Sequence, residues 1–301
     1  MRKSKMLAGM ICVSLVASLC ACGAGNDSES KATTTQQQSQ LDTTTEEPTT
    51  EEPTTEETTT SDYAGDYAEY SNEIVEYGVG SRRLEDGRYE GAVYCQNLYG
   101  DYNVEFIKEN EKVIYLTFDE GYENGCTPAI LDTLKEKGVK AVFFVTMDFA
   151  KGNPDLVKRI IDEGHVLGSH SVTHPSMPSL SVEEQKAEYQ GLDDYITQNY
   201  GYKMYLFRPP MGHFSEQSLA IAGDLGYTTV LWSFAYVDWI TDKQPSLEEG
   251  LQTTVERLHN GAIYLLHAVS TTNTAILGQF IDQARAQGYE FKEYTKDSIN
   301  N

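Results

Sequence analysis

From residue 111 to residue 295 the chain alternates short apolar runs with amphipathic segments, and this alternation constrains the fold more than any other feature. Val113–Phe118, Ala141–Thr146, His165–Ser169, Met204–Phe207, Thr228–Trp232, Ala262–Leu266 and Tyr289–Glu293 read as strands. Pro128–Lys137, Pro154–Glu163, Val182–Asn199, Ser215–Leu225, Leu247–Leu258 and Asn273–Gln287 read as the helices between them. Local signals agree: Thr127 suits an N-cap, Pro128 the first helical position, and Gly138 and Gly164 the helix ends. Strands alternating with helices imply an α/β domain with a parallel sheet and helices outside it. About seven strands could close into a barrel or stay open, and reactive residues should gather at their carboxyl ends.

The segments before this domain differ in kind. Arg2, Lys3 and Lys5 precede an apolar run, Met6–Leu19, too short to span a bilayer comfortably. The run ends in Leu19-Cys20-Ala21-Cys22-Gly23, which resembles a bacterial lipobox with Cys22 as the lipidated residue. Residues 1–22 are therefore expected to be a lipoprotein signal peptide, with a plain secretory signal as the alternative. Either would place the mature chain outside the cytoplasm, and lipidation would tie it to the outer face of the membrane.

Residues 23–76 repeat Thr, Glu and Pro with little to bury, so a disordered tether is expected there. Asp27–Glu76 holds fourteen acidic residues against Lys31, a net −13 of the whole chain's −23. The folded part is thus only moderately acidic, which argues against a nucleic-acid partner. Residues 77–110 show weak periodicity and are expected to pack as a lead-in on the domain edge. Cys95 and Cys126 could pair in an exported protein, but their spacing does not require it.

Several predicted strand ends carry residues that a core would reject. Asp119 and Glu120 follow the first buried strand, where they either close a solvated turn or need a cation, metal or proton as partner. His170 and His174 are four apart, on one side of a helical turn if they are helical, a spacing that suits a divalent metal. With one of the two carboxylates they would form a site with open positions for water and substrate. Arg208 precedes a Pro-Pro-Met-Gly loop and could keep a carboxylate ionised, or form an ordinary structural salt bridge. Asp238 could lie at the surface or hold a histidine. His267 ends an apolar run, where a histidine is commonly a satisfied core residue. His165 reads as core, and His213 and His259 as loop and surface residues.

Taken in order, Thr117–Tyr122, His170–His174, Arg208–Gly212, Val237–Trp239 and Leu265–His267 resemble the polysaccharide deacetylase family, the NodB-homology domain of carbohydrate esterase family 4. The resemblance covers residues 111–293. Within the family, Gly121–Gly125, Phe234–Trp239 and Gly261–Ser270 look most like the delta-lactam-biosynthetic de-N-acetylases, which act on N-acetylmuramic acid in peptidoglycan.

The resemblance implies a distorted (β/α) barrel and an enzyme that releases acetate from a peptidoglycan glycan strand. It casts Asp119 as general base, Arg208 as its orienting partner, and His267 as general acid tuned by Asp238. It makes His170 and His174 ligands of a divalent metal, zinc by expectation, and gives the backbone N–H of Met211 an oxyanion role. Glu120 stands where the family has a metal-binding aspartate, so it is expected either to reach the metal or to weaken its hold. Two other readings remain: a deacetylase of N-acetylglucosamine or chitin oligomers, and an inactive glycan-binding homologue. Under every hydrolytic reading Asp119 and His267 must face one another across one cleft.

Overall fold

The computed structural model describes residues 67–295. The signal segment, Cys22 and the tether as far as residue 66 lie outside the described residues. In chain order the elements begin with β1 (Val75–Glu76), α1 (Glu90–Tyr99), β2 (Val104–Glu105), β3 (Val113–Glu120), α2 (Thr127–Lys137) and β4 (Val142–Val145). Then come α3 (Met147–Gly152), α4 (Pro154–Asp162), β5 (Val166–Ser169), α5 (Val182–Tyr200), β6 (Leu206–Phe207) and β7 (His213–Phe214). The chain continues with α6 (Glu216–Asp224), β8 (Thr228–Val230), α7 (Leu247–Glu256), β9 (Ala262–His267), α8 (Thr271–Ala286) and β10 (Glu290–Phe291).

Every strand pairing in the main sheet is parallel. Strand β3 lies at its centre, with β9 on one side and β4 and the short β10 on the other. From β4 the order runs through β5, β6 and β8 to β2. Past the end of β8 the chain turns back toward β9: Ser233 and Phe234 donate to Ile263 O, and Leu265 donates to Phe234 O. These bonds curl the sheet into the distorted (β/α) barrel, with its helices on the outer face.

Alternation along the strands sorts the core into two layers. Val113 and Tyr115 of β3, Phe144, Val166, Val230 and Ile263 pack together inside the barrel. Ile114, Leu116 and Phe118 point outward to the helix layer with Ile130, Leu131 and Leu134 of α2. Gly168 of β5 is required by this packing, since a Cβ there would lie 2.5 Å from the ring of Phe144.

Three boundaries differ from the sequence reading. The tether was expected to reach Glu76, yet Tyr67 is buried and hydrogen-bonds Asp224, and β1 pairs with β7. Aromatic residues supply apolar area that the Thr/Glu/Pro pattern concealed. The lead-in also does more than cover an edge, because β2 joins the main sheet beside β8. Lastly, Thr127 is not the N-cap of α2: Cys126 takes that position, and the Thr127 hydroxyl bonds elsewhere. Cys95 and Cys126 are free thiols.

Candidate active site

The carboxyl end of the barrel opens into a cavity of about 420 Å³ lined by Asp119, His170, His174, Met211, Trp232 and His267, among others. Its floor is set by strand register. Asp119 of β3 and His267 of β9 are direct partners across the parallel ladder, so their side chains leave the same face. Residues 148 positions apart in sequence thus stand side by side.

Asp119 is 7% exposed, and Arg208, entirely buried, holds it. One Arg208 Nη donates to Asp119 Oδ1 at 2.9 Å and to Thr117 Oγ1 at 2.8 Å. The rest of the guanidinium donates to Val230 O and Leu231 O, and its plane lies over the Phe144 ring. Burial by itself pushes the Asp119 carboxyl up, but Arg208, His170 and His267 together outweigh it and hold it below the ordinary range. The carboxylate is therefore ionised and fixed in direction.

His267 has the opposite bias. Its Nδ1 lies 2.7 Å from Asp238 Oδ1, and its backbone N–H donates to Asp238 Oδ2 at 2.9 Å. Burial lowers its pKa, while the Asp238 hydrogen bond and charge, with Asp119 behind them, raise it above the usual imidazole value. With Nδ1 engaged, Nε2 is the nitrogen left for the cavity. A proton acceptor and a proton donor thus lie in one cleft with their pKa values driven apart.

The His170–His174 segment is not helical. It is an irregular loop in which Ser171 and His174 take left-handed backbone conformations, φ 70° and 60°. Ser171 Oγ accepts from the His174 N–H, and Glu188 of α5 accepts from Val172 N–H, Thr173 N–H and the Thr173 hydroxyl. This clamp brings the two imidazole Nε2 atoms to 3.2 Å. His170 must donate Nδ1–H to Arg208 O, at 2.8 Å, because a carbonyl only accepts. Its Nε2 therefore carries a lone pair, and burial keeps its pKa down at about 4. A neutral ring anchored through its other nitrogen is the state in which histidine binds a metal.

Glu120 does not join them. Strand β3 extends through residue 120, so Glu120 points away from Asp119, into the helix layer with Phe118 and Leu116. There Thr127 Oγ1 lies 3.2 and 3.3 Å from its two oxygens, and the same hydroxyl bonds Glu123. Burial, then Glu123, drives the Glu120 carboxyl well above the usual range, so it is held neutral. Among the described residues no group of three His, Cys, Asp or Glu side chains is placed to hold a metal. The residues present fit a cation through the two imidazole nitrogens, not through the three-ligand set that included Glu120. Glu120→Gln, which mimics the neutral acid, should therefore leave metal content unchanged and cost at most about 1 kcal/mol of stability. Metal analysis and denaturant unfolding of the variant check both.

Met211 lines the cavity with its backbone in the left-handed region, φ 58°. Gly212 beside it leaves room for Trp232, whose ring would lie 2.7 Å from a Cβ. Sequence reasoning missed Trp232, Trp239, Glu188 and Asn273. Asn273 of α8 donates to Asp238 Oδ2 at 2.6 Å and so braces the acid that holds His267. Nothing in its local sequence marks it. His259, expected at the surface, is buried between Arg257 O and Ser233 Oγ.

A carboxylate biased toward ionisation and an imidazole biased toward protonation, together at the carboxyl end of a parallel β/α barrel, suit acid–base hydrolysis. Residues 107–230 match the family model for polysaccharide deacetylase. The chain is 44% identical over 223 residues to the peptidoglycan-N-acetylmuramic acid deacetylase PdaA of Bacillus subtilis, spanning 73% of this chain and 84% of that protein. The solved structure of B. subtilis PdaA, a family 4 carbohydrate esterase, superposes with a TM-score of 0.70 at 38% identity, covering 74% of this chain and 95% of that one. A family 4 carbohydrate esterase from Bacillus anthracis superposes at 0.61 with 37% identity and the same coverage. The chain belongs to the polysaccharide deacetylase family, hydrolases of the C–N bond of glycan N-acetyl groups. Enzymes of this family are metal-dependent.

Proposed function

We propose that this protein removes the N-acetyl group of N-acetylmuramic acid in peptidoglycan, releasing acetate and leaving the amine. The observation that carries the chemistry is the pairing of Asp119 with His267 on one face of neighbouring strands. Asp119, ionised and aimed by Arg208, takes a proton from the water that attacks the acetamide carbonyl. Met211 offers its backbone N–H to the oxygen on which negative charge develops. His267, kept protonated by Asp238, gives its proton to the departing nitrogen as the C–N bond breaks. The choice of sugar is supported by the likeness to PdaA over most of both chains.

His170 and His174 are the residues that would hold a divalent cation, zinc by its preference for imidazole nitrogen. The chemistry such an ion supplies is Lewis-acid polarisation of the acetamide carbonyl. Chelation is expected to lower acetate release and added zinc to restore it, with His174→Ala losing bound metal. Metal content measured beside activity checks this. We further propose that the protein is exported and anchored to the outer membrane face through Cys22. Labelled fatty acid incorporated into the chain but not into Cys22→Ser is the expected result.

Mass spectrometry of digested glycan treated with the protein tests the central reading. Loss of acetyl from muramic residues supports it. Loss from glucosamine residues alone would reassign the sugar, and glycan binding without acetate release would make the protein a non-catalytic homologue.

A further inference from the structure

Residues 67–80 precede the stretch that the family model matches, yet they reach the wall of the cavity. Strand β1 runs antiparallel to β7, with Val75 opposite Phe214 and Glu76 opposite His213. Side chains staple the same segment down: Asn72 Nδ2 donates to Pro178 O, and the Ser215 hydroxyl donates to Asn72 Oδ1. Tyr77, the residue after β1, is buried and ties this segment to two parts of the site. Its backbone N–H donates to Gly212 O at 3.2 Å, and its hydroxyl donates to Trp232 O at 2.6 Å. Its ring stands edge-on to Trp232 at 5.4 Å and to Phe106 at 4.9 Å.

These contacts converge on the loop that carries Met211. A Cβ on Gly212 would lie 2.7 Å from the Trp232 ring and 3.3 Å from Tyr77 O, so this glycine is seated between the two. Its φ is 71°, and that of Met211 is 58°. Glycine takes this conformation freely. Methionine holds it only where its surroundings leave no alternative. On one side those surroundings are Pro209 and Pro210, whose rings fix φ, and the bond from Gly212 N–H to Pro209 O. On the other side they are Tyr77 and Trp232. Met211 and Trp232 both line the cavity over Asp119, whereas Tyr77 is not among the residues lining it.

We propose that Tyr77 is a positioning residue: by tying Gly212 to Trp232 it holds the Met211 peptide in the left-handed conformation that offers its N–H to the developing oxyanion. The inference rests on the deacetylase reading and deepens it, extending the working site to a residue outside 107–230. Tyr77 acts through the loop rather than on the reacting atoms. A donor aimed at the oxyanion contributes mainly in the transition state, so misplacing it lowers kcat and leaves KM nearly unchanged.

Tyr77→Phe keeps the ring and removes the hydroxyl. Its kcat for acetate release from peptidoglycan glycan should fall about tenfold, with KM within about twofold of wild type. Kinetics taken well below both melting temperatures compare folded protein with folded protein. Trp232 and Trp239 are the two tryptophans of the chain and both line the cavity, so a shifted tryptophan emission in Tyr77→Phe reports the displaced wall. Met211→Gly supplies the decisive background. Glycine adopts the left-handed conformation unaided, so there Tyr77→Phe should lower kcat by no more than about a further twofold. An unchanged kcat in Tyr77→Phe, or an equal loss with and without Met211→Gly, overturns the role of Tyr77 and leaves the deacetylase reading standing. No acetate release by the wild type overturns the deacetylase reading itself.

Discussion

Asp119→Asn should lower kcat for acetate release by about 10²–10⁴-fold, with a much smaller change in KM. Asparagine keeps the shape of the side chain, and its oxygen can still accept from Arg208, but it cannot take a proton from water. Alanine is the poorer test. It would leave a fully buried guanidinium without its counter-charge, a loss on the order of 3–5 kcal/mol. Kinetics and unfolding measured on the same asparagine variant separate chemistry from stability. Unimpaired turnover would move the proton acceptor elsewhere. The stability effect also has a defined sign: because the folded-state pKa of Asp119 is depressed, its ionisation stabilises the fold above the unfolded carboxyl value. That contribution disappears as pH falls through the folded value, and the asparagine variant should lack this part of the acid sensitivity.

His267→Ala should cost a comparable factor, about 10²–10⁴, but only where the leaving group needs a proton. An aryl acetate, whose phenolate leaves unaided, should be hydrolysed by this variant at a rate much closer to wild type. The pH profile supplies a second readout. His267 carries its proton below a folded-state pKa raised above the ordinary 6.5, so acetamide hydrolysis should decline as pH rises through that value. Asp238→Asn removes the charge and the hydrogen bond that raise it, so the alkaline limb should move to lower pH. Equal losses on amide and aryl ester, with an unshifted limb, would remove His267 from the acid role.

Where the sequence was a good guide, the physics was local. Apolar runs of strand length, helix caps and glycine ends marked out β3, β4, β9 and α4 within a few residues, since each is set by burial and backbone preference along a short stretch. Glu120 shows where that guide stopped. Ending β3 at Phe118 made two adjacent carboxylates look like joint contributors to one site. The strand runs two residues further, and period-2 alternation then forbids them from sharing a face. The His170–His174 spacing suggested a metal pair for a reason that did not hold, because the nitrogens meet through left-handed turns and the Glu188 clamp rather than a helical turn. Asn273 had no local signature at all, and Trp232 and Trp239, though placed at a strand end and in the Val237–Trp239 motif, were given no part in the site. Their importance comes from which strand end they reach, and that is settled by the pairing of segments far apart in the chain.

The Asp119–His267 partnership makes catalysis a sensor of correct assembly. Shift β9 by a single step along β3 and the imidazole turns toward the outer helices, while much of the hydrophobic interior could still collapse. A population with native-like helix content and no turnover would then report a slipped strand rather than an unfolded chain. Recovery of activity during refolding should accordingly lag behind recovery of secondary structure.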